Sequence, residues 1–166
     1  MSQRDEMEQR AIDYINRISQ SLVTEAQLGF GTDGIVWRTT RPSAIKVFER
    51  RRNYSDELEC YRRLQIAGIK ELAGFTILNL EGFDDDLMIV EMSIVRPPYL
   101  LDFGKVYLDR RPPYWDDTQL MENWREEGQE NFGANWPQVT SLINSLQVYG
   151  IYYVDPKPAN IRFAEE

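Results

Sequence analysis

The chain contains no histidine among its 166 residues. That removes Ser-His-Asp triads, imidazole general bases and His-ligated metal centres together. A single cysteine, Cys60, excludes an internal disulfide and suits a reducing compartment. It stands beside an apolar stripe (Leu58, Tyr61, Leu64) and reads as a small buried residue. Basic residues are in the minority: 19 Lys and Arg against 27 Asp and Glu give a net charge of -8. So acidic a chain lacks the footprint of a general nucleic-acid binder, and anionic membranes repel it. No nucleic acid and no membrane is expected as a partner, and any phosphate-binding patch must be local. No apolar run reaches the length of a membrane span, and the opening MSQRDEMEQR lacks the apolar core of a signal peptide, so a cytoplasmic protein is expected. Repeats and low-complexity segments are missing too. At 42% hydrophobic and 28% charged residues, the chain can build one globular domain or two small lobes.

The most informative stretch runs from Gln27 to Lys46, QLGFGTDGIVWRTTRPSAIK. Gly29, Gly31 and Gly34 stand in G-x-G-x-x-G spacing. The β-like run Ile35-Val36-Trp37 follows, then a turn at Arg41-Pro42-Ser43, then Ala44-Ile45-Lys46-Val47. Glycines let a backbone approach a polyphosphate closely, and a lysine offers its oxygens a point charge. A helix directly after the glycines would point to a dinucleotide fold. Here strands follow, which suits a glycine hairpin lying over a nucleotide.

Along the rest of the chain, residues 3–22 predict a helix with Ile12, Ile15, Ile18 and Leu22 on its apolar face. Residues 55–64 predict a second, with Ser55 as N-cap and Leu58, Tyr61 and Leu64 inward. Phe75–Leu80 and Leu87–Met92 read as strands of a hairpin whose turn, 81–86, carries Asp84-Asp85-Asp86. Three adjacent carboxylates there are expected to be a solvated tip rather than a metal site. Residues 96–115 are rich in Pro and Tyr and break regular structure. Helices are predicted over 116–131 and 136–149, the latter with Pro137 in its first turn and Val139, Leu142, Ile143 and Leu146 on one face.

Near the C-terminus, Asp155, Lys157 and Asn160 stand in D-x-K-x-x-N spacing, stiffened by Pro156 and Pro158. A carboxylate, an ammonium and an amide held together suit phosphoryl transfer. The carboxylate accepts a hydroxyl proton, the lysine neutralises the phosphate, and the amide oxygen ligates Mg²⁺. The bland alternative is a Pro-rich segment with one ion pair.

Taken in order, these motifs resemble the protein-kinase superfamily over about residues 26–163. Leu28-Gly29-x-Gly31-x-x-Gly34-x-Val36 looks like its glycine-rich loop, and Ala44-Ile45-Lys46 like the strand that carries its phosphate-binding lysine. Glu57, eleven positions on (57 − 46 = 11), looks like the helix glutamate that pairs with that lysine, with Glu59 as rival. Glu91-Met92-Ser93 is similar to the hinge whose backbone holds adenine. Asp155, Lys157 and Asn160 look like the catalytic loop in its Ser/Thr-directed form. The resemblance implies an α+β, protein kinase-like fold. Residues 1–24 would form an N-terminal helix, 25–95 an upper lobe with a five-stranded antiparallel sheet and one helix, and 96–166 a shortened, mostly helical lower lobe. It implies ATP and Mg²⁺ as cofactors. Gly29, Gly31, Gly34, Val36, Lys46, Glu57, Glu91 and Ser93 would hold nucleotide in the inter-lobe cleft. Asp155, Lys157 and Lys46 would be catalytic, and Asn160 a metal ligand.

The chain departs from that pattern in two places. Tyr153-Val154-Asp155 stands where the family has His-Arg-Asp. The family's second metal-binding aspartate, in Asp-Phe-Gly, follows its catalytic asparagine, and this chain runs only 166 − 160 = 6 residues past Asn160. Asp102-Phe103-Gly104 spells the tripeptide but lies 155 − 102 = 53 residues before Asp155, so chain order assigns it to the connection after the hinge strand. Two functions are therefore open: a minimal kinase-like phosphotransferase, or a pseudokinase-like module. The latter would act through a protein partner or a second copy of itself.

Overall fold

The computed structural model describes residues 1–30 and 33–165, the side chains of 22–30 excepted. It is an α+β protein in which four α-helices and eleven short strands are described. Helix α1 (Gln3–Arg17) precedes strands β1 (Leu22–Phe30), β2 (Gly34–Thr39) and β3 (Ser43–Phe48). Helix α2 (Arg51–Ile66) comes next, then β4 (Glu71–Leu72), β5 (Phe75–Ile77), β6 (Leu80–Asp84) and β7 (Ile89–Ser93). Strands β8 (Tyr99–Leu100) and β9 (Val106–Leu108) lead to a 3-10 turn at Pro113–Asp116. Helices α3 (Thr118–Phe132) and α4 (Trp136–Gln147) and strands β10 (Ile151–Tyr153) and β11 (Ile161–Arg162) complete the chain.

Two compact units divide these elements: Met1–Arg62 with Leu78–Ile94, and Arg63–Ile77 with Val95–Glu166. Residues 63–77, expected in the first lobe, belong to the second unit instead.

The first unit is built on a sheet of order β1-β2-β3-β7-β6, antiparallel throughout. A single five-stranded sheet does not describe the protein, because the strands fall into three sheets. Four of this sheet's five strands are those read from sequence, and the fifth is not. The predicted strand 75–80 splits, and β5 joins a sheet of the second unit while β6 pairs with β7. The chain leaves at Asn79, whose N–H donates to Ser93 Oγ and whose carbonyl accepts from Ser93 N–H. The β6–β7 turn also comes later than predicted. Asp84 Oδ1 accepts from Leu87 N–H and closes it, and Tyr54 donates its hydroxyl to Asp85. These carboxylates serve the turn and its neighbours.

Helix α1 covers one face of this sheet. A reciprocal capping box, Ser2 with Asp5, starts it. Its buried face is Met7, Ala11, Tyr14 and Ile15, packed on Ile35, Trp37, Ile45, Val47 and Ile89. Sequence periodicity chose Ile12, which the structure leaves 39% exposed. In α2 the helix begins at Arg51, so Ser55 lies within it and is not its cap. Tyr54, Leu58, Cys60, Tyr61 and Leu64 are buried as a continuous face.

The second unit holds a two-stranded sheet, β9 with β10, and a four-stranded sheet of order β11-β8-β5-β4. Helix α4 buries Val139, Leu142, Ile143 and Leu146, the predicted face. Arg63 braces the far end of the β9–β10 pair. Its two terminal nitrogens each donate to the Asp109 carboxylate at 2.7 Å, and one also reaches the Tyr149 carbonyl. These charge-assisted bonds hold the Asp109 carboxyl below its ordinary value of 3.8. A depressed carboxylate contributes stability above its unfolded value and loses it as pH falls through its folded one. Asp109→Asn should therefore flatten the acid limb of the stability-against-pH curve below about pH 4. Urea denaturation at pH 3 and pH 6 measures this, and an unchanged pH 3 to pH 6 difference would count against the brace.

Candidate functional site

The first unit supplies a buried cation. Lys46 lies mid-strand in β3, facing Val36 of β2 and Val90 of β7 across the ladders. Its ammonium donates to Glu57 Oε2 at 2.8 Å, and the two side chains are only 3% and 2% exposed. Of the two candidate glutamates, then, Glu57 meets the lysine. The Phe48 ring centroid lies 4.6 Å from Lys46 Nζ and adds a cation–π contact. Burying two charges costs several kcal/mol per ion unless each is compensated, so such a pair fixes where the lysine stands more than it stabilises the fold.

The glycines divide. Gly29 lies in β1 opposite Val36, and Gly31 is outside the described residues. Gly34 opens β2 opposite Phe48, and a Cβ there would lie 2.2 Å from the Val47 carbonyl oxygen. Strand packing alone therefore demands glycine at 34, whatever binds nearby. The glycine at 34 thus has a packing reason of its own beside the phosphate-loop reading.

The hinge expectation also changes. Glu91 sits in β7 with β3 on one side and β6 on the other, so its backbone belongs to the sheet. Its buried carboxylate accepts from Tyr14 Oη at 2.8 Å, Arg41 Nη2 at 2.8 Å and Ser43 Oγ at 2.7 Å. Burial first, then the bond to Glu91, pushes the Tyr14 hydroxyl well above its usual range. The N–H groups of Ser93 and Ile94 are donated to Asn79 and Pro42 carbonyls. Glu91 and Ser93 thus tie α1 and β3 to β7 and to the chain entering β6.

In the second unit the structure joins two loops that are distant in sequence. Residues 101–105 connect β8 to β9, and residues 154–160 connect β10 to β11. Strand β8 pairs antiparallel with β11, and β9 pairs antiparallel with β10. Both ends of one loop are therefore tied to both ends of the other. Leu101 N–H donates to the Asn160 carbonyl at 2.8 Å, Val154 N–H to the Lys105 carbonyl at 3.3 Å, and Tyr153 Oη to the Asp102 carbonyl at 3.2 Å. Gly104, at φ 58°, donates its N–H to the Asp102 carboxylate. A Cβ on Gly104 would lie 3.1 Å from Asn160 Nδ2 and 3.6 Å from Asp155 Oδ2. Phe103, 1% exposed, anchors the loop in the core.

Asp102-Phe103-Gly104 is thus no stray connection. It lies in the connection after β7, as chain order indicates, and it also abuts Asp155 and Asn160. Within the second loop, Asn160 Nδ2 donates to the Asp155 carbonyl at 3.2 Å, leaving its amide oxygen available. Lys157 Nζ lies 3.4 Å from Asp155 Oδ1. Among the described residues, no group of three or more His, Cys, Asp or Glu could hold a metal unaided. Asp102 and Asn160 carry side-chain oxygens of the hard type that Mg²⁺ takes.

No protein-family model matches the chain, and no curated protein does. Its chemistry must be argued from these residues.

Removing one partner of a buried ion pair strands the other charge. Lys46→Met should lower stability by about 3–5 kcal/mol, and adding Glu57→Leu should restore most of the loss. Urea denaturation of the two variants measures both changes. A single variant as stable as the native chain would mean that the pair is not held out of water.

Proposed function

We propose that the chain is a kinase-like phosphotransferase that uses ATP and Mg²⁺, with Asp102 taking the place of the aspartate expected after Asn160. The observation that carries this reading is the contact of Asp102-Phe103-Gly104 with the Asp155–Asn160 loop, enforced by two strand pairs. Relative to the protein-kinase pattern, the two segments occur in exchanged chain order. Exchange leaves the chemistry intact, because a metal ligand is defined by where it stands and not by when it is synthesised.

In this reading the kinase resemblance gives Lys46, paired with Glu57 in the first unit, the role of a phosphate-binding lysine. Asp102 and Asn160 are the residues that would hold Mg²⁺, whose charge would be supplied to the phosphate oxygens. The Asp155 carboxylate accepts the proton of an acceptor hydroxyl. As it does so, the hydroxyl oxygen forms a bond to the γ-phosphorus and the bond from that phosphorus to the ADP oxygen breaks. Lys157, beside Asp155, offsets charge on the transferring group. A lysine at this position points to Ser/Thr-type hydroxyl acceptors. The pseudokinase reading rested on a missing metal carboxylate and a shortened lower lobe; Asp102 is our candidate for the first, and the second is unaffected.

A ligand of the native state raises the unfolding midpoint, by the equivalent of about 2.7 kcal/mol at a hundred times its Kd. Mg-ATP should raise the midpoint of the native chain, and Lys46→Met should abolish the shift. Asp155→Asn should keep the shift and lose formation of ADP. No shift at millimolar Mg-ATP sinks the nucleotide claim, and ADP formation undiminished in Asp155→Asn sinks the catalytic one.

A further inference from the structure

The second unit contains a cavity that none of this chemistry uses. It has a volume of about 550 Å³ and lies among the 3-10 turn, α3, α4 and β10. Three of the protein's four tryptophans line it, Trp115, Trp124 and Trp136, together with Tyr152. The rings brace one another edge to face or tilted. Trp124 and Trp136 centroids are 5.1 Å apart, Trp115 and Tyr152 5.8 Å, and Trp115 and Trp124 6.4 Å. Phe132 stacks behind Trp136 at 6.0 Å. A wall of mutually supported rings is rigid, so a flat ligand meets preformed surface and little side-chain entropy is lost on binding.

The charges of the lining are one-sided. Arg111 and Arg125 line the cavity and no Asp or Glu does, in a chain whose net charge is -8. Both arginines are exposed, which places cations at the rim and aromatic rings within. Arg125 has no hydrogen-bond or ion-pair partner among the described residues; Arg111 meets Asp116 loosely, at 3.8 Å, and its guanidinium carbon lies 6.0 Å from the Trp115 ring centroid. Guanidinium groups match carboxylates in planar, two-point fashion. The volume lies in the range of small-molecule sites, which are mostly apolar with a few polar groups fixing orientation.

We propose that this cavity binds a small planar aromatic carboxylate, with its ring among Trp115, Trp124, Trp136 and Tyr152 and its anion on Arg111 and Arg125. The site is separate from the residues assigned to the nucleotide.

Calorimetric titration with 2-naphthoate and with neutral 2-naphthamide tests the assignment on the whole chain. 2-Naphthoate should bind at least tenfold more tightly than the amide. The double variant Arg111→Gln/Arg125→Gln, both positions exposed and so compatible with folding, should erase that difference while the amide's affinity stays unchanged. Saturating Mg-ATP should leave 2-naphthoate binding as it was. The proposal is overturned if neither probe binds saturably, if both bind equally, if the double variant keeps the tenfold preference, or if Mg-ATP displaces 2-naphthoate.

Discussion

The second unit depends on a constraint made by four very short strands. β8 with β11 and β9 with β10 pair only two or three residues each, yet together they tie both ends of one loop to both ends of another. A strand of two residues has almost no structure of its own. The two pairs close one circuit, β8 is held on its other side by β5, and the buried Phe103, Val106, Tyr153, Ile151 and Ile161 seat the circuit in the core. Within it, Gly104 must lack a side chain because Asn160 and Asp155 stand against it, and its N–H holds the Asp102 carboxylate. The proposed metal ligands are thus positioned by backbone pairing on both sides. That is a firmer basis than a free loop, because sites held by the scaffold's strands keep their geometry.

The first unit makes a complementary use of burial. β3 is buried along its whole length, and the lysine in its middle is tolerable only because Glu57 reaches it from α2. Glu91 solves a similar problem on the next strand with three donors, from α1, from β3 and from Arg41. One carboxylate fixes a cation and the other fixes the helix that covers the sheet. Sequence reading gave both residues to the nucleotide. The hydrogen bonds divide them into a candidate functional pair and a structural hub.

What was legible from the residues had local causes. The β2–β3 hairpin and the face of α4 follow from spacing within one or two elements, and the Lys46–Glu57 pairing is what the kinase resemblance implies. The misses came from tertiary contacts. The face of α1 turned toward Met7 and Tyr14 because Tyr14 finds Glu91, a partner 77 residues away. Strands β8 and β9 lie in a Pro- and Tyr-rich stretch with no alternation to betray them, and their partners come at the end of the chain. Asp102-Phe103-Gly104 was visible as a string and dismissed for its position, since no rule of local pattern says which distant loops will meet. Gly34 differs: a motif position there also answers to strand packing.

The central claim is that Asp102, although early in the chain, serves the same metal as Asn160. The most direct measurement is the Mg²⁺ dependence of ATP affinity in the native chain and in Asp102→Asn. The account predicts that Mg²⁺ tightens ATP binding to the native chain, and that Asp102→Asn loses this tightening while its affinity for metal-free ATP is unchanged. Equal Mg²⁺ dependence in both proteins would contradict it.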